Sequence, residues 1–387
     1  MKNTWFEYDT PESVGISSDN IQRLIDTMCL HEPGQETHGF TIIRHNKIVA
    51  EGNFAPFGTE AHVIHSCSKA FTATAIGFAQ QEGLLNIDDP IIKYLEEYAP
   101  PKAERAPELE RLTIRHLLTM TNGISENLFL RPYSEILPKK LKQRFMAGKF
   151  GCEPGTRFKY DNTNSYMMAE IIKSLTGYDP IEYLRPRLLD KLGISPFYER
   201  DFDGMFVGYG TIRLTREELA RLGRFYLDGC VWEGERLLSE EWAKEATRFH
   251  IATGAQTSTP DLDKAEVKPT DWNQGYAYHL WRGQQNSFRF CGAYGQVCAC
   301  YPDKDIIFCV NSGHTDVIQD VFDSFYKNIY FKLEDRLPEN DTAVAALRAR
   351  CENLSLPAQF SAPSALVPAV NHKTWAIDCE EDRKSVV

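Results

Sequence analysis

The sequence has no long apolar run and no recognisable secretion signal. Among its 387 residues, no stretch of 18 is apolar enough to form a membrane-spanning helix. Residues 1–8 contain neither the apolar core nor the small-residue cleavage site of a signal peptide. These absences lead us to expect a cytoplasmic protein that does not bind a membrane.

Basic residues are fewer than acidic ones. The chain carries 43 Lys and Arg against 54 Asp and Glu, which gives a formal net charge of −11. Nucleic acids and anionic membranes are bound through an excess of positive charge, so this balance argues against both partners. Hydrophobic residues make up 42% of the sequence, which is enough for a sizeable core and excludes a disordered chain.

Several common catalytic and cofactor motifs are missing. There is no G-x-S-x-G nucleophile elbow, no phosphate-binding loop, no G-x-G-x-x-G and no H-E-x-x-H. Ten cysteines are scattered along the chain, and the closest pair, Cys298 and Cys300, has one intervening residue, unlike the pairs of zinc sites. We therefore expect no cofactor and no metal, and thiols that are reduced and buried.

The order of the predicted elements indicates one antiparallel sheet built from both ends of the chain. Two strands come early, a long helical region follows, and further strands and a helix come late, without the alternation of a parallel sheet. The fold class is therefore α/β of the α+β type: an antiparallel sheet of about five strands flanked by helices, with an inserted all-helical lobe. The predicted strands are 38–43, 47–51, 275–282, 287–291, 296–301 and 306–310, and the main helices are 66–82, 113–120, 165–175 and 317–331.

This order predicts a single catalytic domain with two lobes over residues 1–333. The sheet lobe consists of about 1–85 and 270–333, and the helical lobe of about 86–250. Residues 334–387 change in character, because a short Ala-rich helix is followed by a stretch that contains several prolines. We interpret them as a C-terminal tail, and the strand-like ending 385–387 suggests the start of a second, truncated domain.

An S-x-x-K pattern opens the first long predicted helix, at Ser66-Cys67-Ser68-Lys69. Residues i and i+3 share a helix face, so the Lys69 amine can reach the Ser66 hydroxyl. Burial of Lys69 would disfavour its charged form and make it a base near neutral pH. The pattern alone is not specific, since Ser324–Lys327 repeats it within an ordinary amphipathic helix.

Two further segments contain candidate site residues. Tyr160-Asp161-Asn162 follows Pro154-Gly155. Beside a cation, the Tyr160 phenol would ionise more easily and could relay a proton. The Asn162 amide could hold Lys69 and a substrate carbonyl. A packed tyrosine in a turn is the structural alternative. On a late strand, Gly292-Ala293-Tyr294 allows close approach of a ligand, although a bulge in the sheet would look the same.

These segments, in this order and together with Thr113–Gly123, resemble the serine β-lactamase-related family. That family includes class C β-lactamases, penicillin-binding proteins, D-aminopeptidases, β-lactamase-fold esterases and aminohexanoate-oligomer hydrolases. The resemblance covers roughly residues 11–331, and is also seen in Glu82–Leu85 and Leu237–Trp242. It implies a fold of the β-lactamase/transpeptidase type.

The resemblance also implies roles for the candidate residues. Ser66 is similar to the acylated nucleophile, Lys69 to its general base or proton shuttle, and Tyr160 to the group that protonates the leaving group. Asn162 is similar to the residue that positions the lysine and the substrate. The backbone N–H groups of Ser66 and Ala293 would form the oxyanion hole, with Gly292 and Tyr294 beside the substrate.

One departure from the family pattern bears on the substrate. Penicillin-recognising members carry a Lys or His at the position that Phe290 occupies here, and strand alternation should turn the neighbouring Arg289 to the other face. Loss of a charge-assisted contact with a substrate carboxylate would cost about 1.5–3 kcal/mol. We therefore expect little or no β-lactamase activity.

The sequence thus predicts a serine hydrolase that acts on a neutral, small-molecule ester or amide through a Ser66 acyl-enzyme. Two alternatives on the same fold stay open: a penicillin-binding or sensor protein that does not turn over, and a D-aminopeptidase or β-lactamase. A cysteine hydrolase that uses Cys67 or Cys291 has little support, because no histidine stands at a recognisable spacing from either.

Overall fold

The computed structural model describes residues 5–30, 34–126, 138–201, 203–254, 270–315 and 318–357. The chain divides into two compact units, of which the first ends at Leu356 and the second begins at Pro357. The prediction that a second domain starts near the C-terminus concerns residues that lie outside this description.

Most of the eleven strands in the described part of the chain belong to one sheet. The strands are β1 (Glu7–Tyr8), β2 (Thr37–Arg44), β3 (Lys47–Asn53), β4 (His62–Val63), β5 (Arg213–Leu214), β6 (Val231–Trp232), β7 (Glu235–Arg236), β8 (Trp281–Arg282), β9 (Phe288–Gly292), β10 (Gln296–Tyr301) and β11 (Ile306–Ser312).

One α-helix lies near the N-terminus, and the others lie in the long middle of the chain and in its C-terminal part. The α-helices are α1 (Ser18–Met28), α2 (Lys69–Gln81), α3 (Ile92–Leu95), α4 (Ile114–Leu118), α5 (Pro138–Met146), α6 (Asn162–Thr176), α7 (Pro180–Leu184), α8 (Asp190–Leu192), α9 (Arg216–Leu227), α10 (Glu240–Thr247), α11 (Gln319–Asn328) and α12 (Asp341–Glu352). None of the helices in the described ranges is long and apolar enough to cross a membrane.

The main sheet has seven strands in the order β1-β3-β2-β11-β10-β9-β8. Neighbouring strands are antiparallel except for β1 and β3, which run parallel. This confirms the predicted fold class, and the five central strands match the predicted number. Of the predicted strand 275–282, only Trp281–Arg282 forms a strand of the sheet, as the edge strand β8. The other edge strand, β1, has two residues and is too short to show an alternating pattern in the sequence.

Each face of the sheet is covered by helices, because its strands alternate between two apolar cores. In β11, Ile306, Phe308 and Val310 belong to the core that also contains residues of α1 and α11. Ile307 and Cys309 belong to the other core, with residues of α2 and α9. A strand that is buried on both faces has a continuous apolar run in its sequence. Helix α2, which packs against one face of the sheet, is buried along nearly its whole length.

The C-terminal boundary differs from the predicted one. Helix α12, which the sequence assigned to a tail after residue 333, contacts α1 and β3. Its Leu347 is 3% exposed and belongs to the same core as α1, and Leu356 N donates a hydrogen bond to Ala55 O. The weak amphipathic pattern of α12 did not reveal this packing, and the first unit extends to Leu356.

Candidate active site

The site begins where β4 leads into a 3₁₀ turn, His65–Ser68, that continues into α2. Ser66 lies in this turn and Lys69 is the first residue of α2, so the predicted helix starts as a tighter 3₁₀ turn. Lys69 Nζ lies 2.7 Å from Ser66 Oγ and donates a hydrogen bond to Tyr209 O at 3.2 Å. The S-x-x-K spacing therefore brings the two groups into direct contact.

Lys69 is buried without a counter-ion. Its residue exposure is 1%, and none of the carboxylates in the described ranges forms an ion pair with its amine. Burial lowers the pKa of Lys69 to about 7, and the nearby Asp161 and Cys67 offset only part of that effect. A large fraction of this lysine is therefore an uncharged amine at neutral pH, as the sequence predicts.

Tyr160 faces the same pair from the loop before α6. The Lys69 ammonium nitrogen lies 4.9 Å from the centroid of the Tyr160 ring. Burial raises the pKa of Tyr160 above its ordinary value, and a side-chain hydrogen bond with Ser66 opposes this only in part. The expectation that a neighbouring cation would ease ionisation of this phenol is thus wrong in direction, and Tyr160 is a neutral hydroxyl.

Asn162 is the first residue of α6, after Asp161 caps the helix by accepting a hydrogen bond from Thr163 N. Its Oδ1 atom is buried and accepts no hydrogen bond among the residues that the structure describes. The amide does not hold Lys69, whose hydrogen bonds go to Ser66 and Tyr209. A buried acceptor without a donor is unusual in native proteins and is typical of a position that a ligand completes.

The predicted segment Gly292-Ala293-Tyr294 lies against the 3₁₀ turn His65–Ser68, which we call the nucleophile turn. Gly292 ends β9, and a Cβ at this position would collide with the carbonyl oxygen of Ile64 and press on His65. Only glycine lets the strand come this close to the backbone of Ile64. The predicted close approach of a ligand stays a prediction. Ala293 and Tyr294 then turn away from the strand, with Tyr294 in the left-handed region at φ 62°.

Left-handed residues flank the site on both sides. His65, immediately before Ser66, has φ 45°, and Tyr294, immediately after Ala293, has φ 62°. Their rings pack edge to face with centroids 5.4 Å apart. Non-glycine residues adopt this conformation only when the surroundings impose it, so the backbone on each side of the site is held by tertiary contacts.

A cleft of about 570 Å³ opens in front of Ser66. It is lined by Ser66, Tyr160, Trp272, Trp281, Cys291, Gly292, Ala293, Tyr294, Gly295, His314, Thr315 and Ile318. Among these described lining residues there is no lysine, arginine, aspartate or glutamate. The lining also contains one histidine, His314. Burial lowers the pKa of His314, so its imidazole adds no charge to the cleft at pH 7.

The single cationic residue of β9 is not available to the cleft. Arg289 is fully buried, lies 3.8 Å from the Asp271 carboxylate and donates a hydrogen bond to Arg282 O. Phe290, at the family's cation position, is 1% exposed and packs in the core against Tyr226 instead of lining the cleft. The cleft therefore lacks the cation found in penicillin-recognising members, and the Phe290 side chain that replaces it points into the core.

The two candidate cysteines are poor nucleophiles. Cys67 is 1% exposed, and burial raises its pKa well above the ordinary value. Cys291 lines the cleft and accepts a hydrogen bond from Arg289 Nε, yet burial still raises its pKa. Because thiolates are the reactive form, neither thiol is activated.

Sequence reasoning missed three groups of the site. The Tyr209 carbonyl that accepts from Lys69 belongs to the backbone and leaves no side-chain signal. Trp272 and Trp281 line the cleft. The only available signal for them was the presence of two tryptophans among polar residues just before the late strands.

Comparison with known proteins shows the family and the fold of the chain. A family model described as Beta-lactamase matches residues 36–321. The 6-aminohexanoate-dimer hydrolase of Paenarthrobacter ureafaciens is 25% identical over 245 residues, which are 58% of this chain and 59% of that protein. The chain thus spans less than two thirds of the length of this relative.

Two solved structures share the fold. EstCE1, a hydrolase with promiscuous acyltransferase activity, matches with a TM-score of 0.62 and 14% identity over 81% of this chain and 99% of that chain. A D-stereospecific amidohydrolase from Streptomyces sp. matches with a TM-score of 0.59 and 18% identity over 80% and 98%. The family match covers well over half of the sequence and includes the nucleophile turn and β9. The chain therefore belongs to the β-lactamase family, whose members include hydrolases.

Proposed function

We propose that this protein is a serine hydrolase that cleaves a neutral ester or amide through an acyl-enzyme on Ser66. The observation that carries the proposal is the 2.7 Å contact between Ser66 Oγ and the buried amine of Lys69, whose pKa burial lowers to about 7. A neutral amine at this distance is a competent base for a serine hydroxyl.

In the acylation step, Lys69 Nζ takes the proton of Ser66 as Oγ forms a bond to the substrate carbonyl carbon. The negative charge on the carbonyl oxygen would be stabilised by the N–H groups of Ser66 and Ala293, which are worth about 2.7–4 kcal/mol each in such sites. Tyr160 donates its hydroxyl proton to the leaving alcohol or amine and recovers a proton from the Lys69 ammonium. The leaving group departs protonated, and Lys69 is neutral again.

Deacylation uses the same groups in reverse. Lys69 accepts a proton from a water molecule whose oxygen attacks the acyl carbon. Ser66 Oγ leaves and takes that proton from the Lys69 ammonium, so both groups return to their starting state. Asn162 does not belong to the described lining of the cleft, so its buried Oδ1 does not distinguish an amide from an ester substrate.

A neutral substrate is supported by the charges around the cleft. The described lining residues carry no charged side chain, and Arg289 lies beside Asp271 within the protein. A substrate carboxylate would find no charge-assisted partner there. EstCE1 and the Streptomyces amidohydrolase are named for hydrolytic activities, and a small-molecule ester or amide is the corresponding partner that we propose here. A cytoplasmic location is part of the proposal, supported by nine described cysteines that are all free.

The decisive experiment is labelling with a fluorophosphonate and, separately, with a penicillin, with adducts mapped by mass spectrometry. We expect the fluorophosphonate on Ser66 and no penicillin adduct, and hydrolysis of short esters that is lost in Ser66→Ala. A stable penicillin adduct that is never released would support the binding or sensor protein. Ester hydrolysis at the full rate in Ser66→Ala would refute the proposal.

A further inference from the structure

One side of the cleft is an aromatic wall, formed by Trp281, Trp272 and Tyr160. Trp281 stacks on Tyr160 with centroids 5.7 Å apart and an interplanar angle of 25°. It meets Trp272 edge to face at 5.6 Å. All three residues line the cleft, so a substrate bound at Ser66 lies beside this wall.

The aromatic wall is held in place from behind. Trp281 also contacts Phe158 at 5.8 Å and Tyr276 at 5.1 Å, and both of these rings are almost completely buried. Trp272 lies over the Arg289 guanidinium, 4.8 Å from its ring centroid. A ring fixed on several sides loses little freedom when it binds a ligand, so its contact area contributes to affinity with little entropic loss.

We infer that the substrate carries an uncharged aromatic ring that packs against Trp281 and Trp272. This inference rests on the proposed function and adds the class of substrate. An aromatic ring gains from stacking beyond its area, whereas an aliphatic group of the same size gains only from burial. The cleft of about 570 Å³ has room for such a ring, and the described lining offers no charged partner for an anionic or cationic group.

The ring can belong to the acyl half or to the leaving half of the substrate, and two isomeric esters separate these cases. Ethyl phenylacetate carries the ring in the acyl half, and benzyl propionate carries it in the alcohol half. The controls are ethyl cyclohexylacetate and cyclohexylmethyl propionate, which keep the size and remove the aromatic face. In at least one of the two pairs, we expect kcat/KM to be about fivefold higher for the aromatic ester.

Variants at Trp281 test whether the wall causes the preference. The ratio of aromatic to cyclohexyl kcat/KM should fall to about one in Trp281→Leu and persist in Trp281→Phe. The ratio is the readout because Trp281 also supports Tyr160, so both rates will fall. The control is Trp232→Leu. Trp232 contacts Trp5 and does not line the cleft, so this variant should leave the ratio unchanged.

The outcomes separate this inference from the proposed function. Equal rates for both members of each pair, or a ratio that survives in Trp281→Leu, would overturn the inference while ester hydrolysis remains. Failure to hydrolyse any of the four esters, together with no fluorophosphonate adduct on Ser66, would instead overturn the proposed function.

A second, independent observation is the ring contact between His65 and Tyr294. These residues adjoin the two proposed oxyanion donors: His65 precedes Ser66, and Tyr294 follows Ala293. Both are left-handed, and their rings meet edge to face with centroids 5.4 Å apart. The contact joins the nucleophile turn to the end of β9 at the point where the spacing of the two N–H groups is set.

We propose that His65 and Tyr294 are positioning residues that fix the spacing of the oxyanion hole. This role also rests on the proposed function. Oxyanion donors act only when they are held near the developing charge, and small displacements reduce the rate strongly. Because asparagine tolerates the left-handed conformation, His65→Asn and Tyr294→Asn remove the rings with little change in the backbone.

His65→Asn should lower kcat about tenfold with KM nearly unchanged. Tyr294→Asn should lower kcat by a similar factor, and because Tyr294 lines the cleft its KM can change as well. The double variant should be no worse than either single one, since both remove the same contact. Tyr294→Phe keeps the ring and should restore most of the kcat that Tyr294→Asn loses. Additive losses in the double variant, or full activity in both Asn variants, would overturn the proposal. Absence of ester hydrolysis in the unchanged protein would instead concern the proposed function.

Discussion

Two lysines in the described part of the chain are almost completely buried, one in the candidate site and one in the helical region. Lys69 is 1% exposed and Lys142 is 3% exposed. Lys142 Nζ lies 2.8 Å from Glu170 Oε2 and 3.3 Å from Asp203 Oδ2. The partners of Lys69 are a hydroxyl and a carbonyl oxygen.

The difference shows what burial does with and without a counter-ion. A carboxylate beside a buried ammonium keeps the charge in place and makes the pair structural. Neutral acceptors cannot offset the loss of water, so burial lowers the pKa of Lys69 to about 7 and leaves an amine that can accept a proton. The same residue type therefore forms an ion pair in one region and, in the proposed function, serves as a base in the other.

The largest expected effect comes from removing the unpaired lysine. Lys69→Met should lower kcat/KM for esters about 10³-fold, because it removes the proposed base. The free energy of unfolding should stay the same or rise, since an uncompensated amine is replaced by an apolar chain of similar length. Kinetics with a short ester and urea unfolding of the same preparation check both parts. A clear loss of stability with activity retained would reverse the roles assigned to the two lysines.

The paired lysine should show the opposite behaviour. Lys142→Met should lower the free energy of unfolding by about 3 kcal/mol, because the Glu170 carboxylate remains buried without its cation. Ester hydrolysis should be unchanged at temperatures where the variant is folded. The matched control is the double variant Lys142→Met and Glu170→Leu, which removes both charges and should recover part of the stability. No recovery in the double variant would mean that packing, and not charge, dominates at this position.

The sequence predicts the first of these lysines well and is silent on the second. The S-x-x-K spacing indicates that Lys69 reaches Ser66, and it does so at 2.7 Å. The lowered pKa follows from placing that lysine in an apolar helix, and its direction is confirmed. The partners of Lys142 come from 28 and 61 residues away along the chain, and no local pattern links them.

Where sequence reasoning is wrong, the missing information is burial. A cation beside Tyr160 suggests easier ionisation, yet burial raises its pKa instead. Phe290 was recognised as the replacement for a cation, but the sequence did not show that it packs into the core. Central strands are predicted because their apolar runs are long. Strand β1, the shortness of β8 and the packing of α12 depend on contacts that only the folded chain makes.

A smaller effect, about tenfold, is expected in the dependence of activity on pH. Because Lys69 must be neutral to act as the base, kcat/KM should rise through a pKa of about 7 and be about tenfold below its plateau at pH 6. No fall is expected below pH 10, since burial raises the pKa of Tyr160 above its ordinary value of 10.0. Kinetics from pH 5 to pH 10 check this, and a single limb centred well away from 7 would contradict it.

The stability of the fold should depend on pH through the same lysine. The pKa of Lys69 is lower in the folded state than in the unfolded chain, so between about pH 7 and pH 10 the unfolded state binds more protons. Stability should therefore rise with pH across this window, and below pH 7 the full penalty of burying the amine is present. Lys69→Met should lose this slope, whereas Lys142→Met should keep it.

The smallest effect is expected for a lysine at the surface. Lys191 Nζ lies 2.6 Å from Glu235 Oε2, with side chains that are 36% and 61% exposed. Lys191→Ala should change the free energy of unfolding by about 0.5 kcal/mol or less, because water stabilises each exposed charge almost as well as the ion pair does. Urea unfolding beside Lys142→Met provides the comparison, since each variant removes one lysine from a pair with similar N–O distances. If the surface variant lost as much stability as the buried one, ion pairing itself would be the source of stability. The contrast between Lys69 and Lys142 could then not be explained by burial.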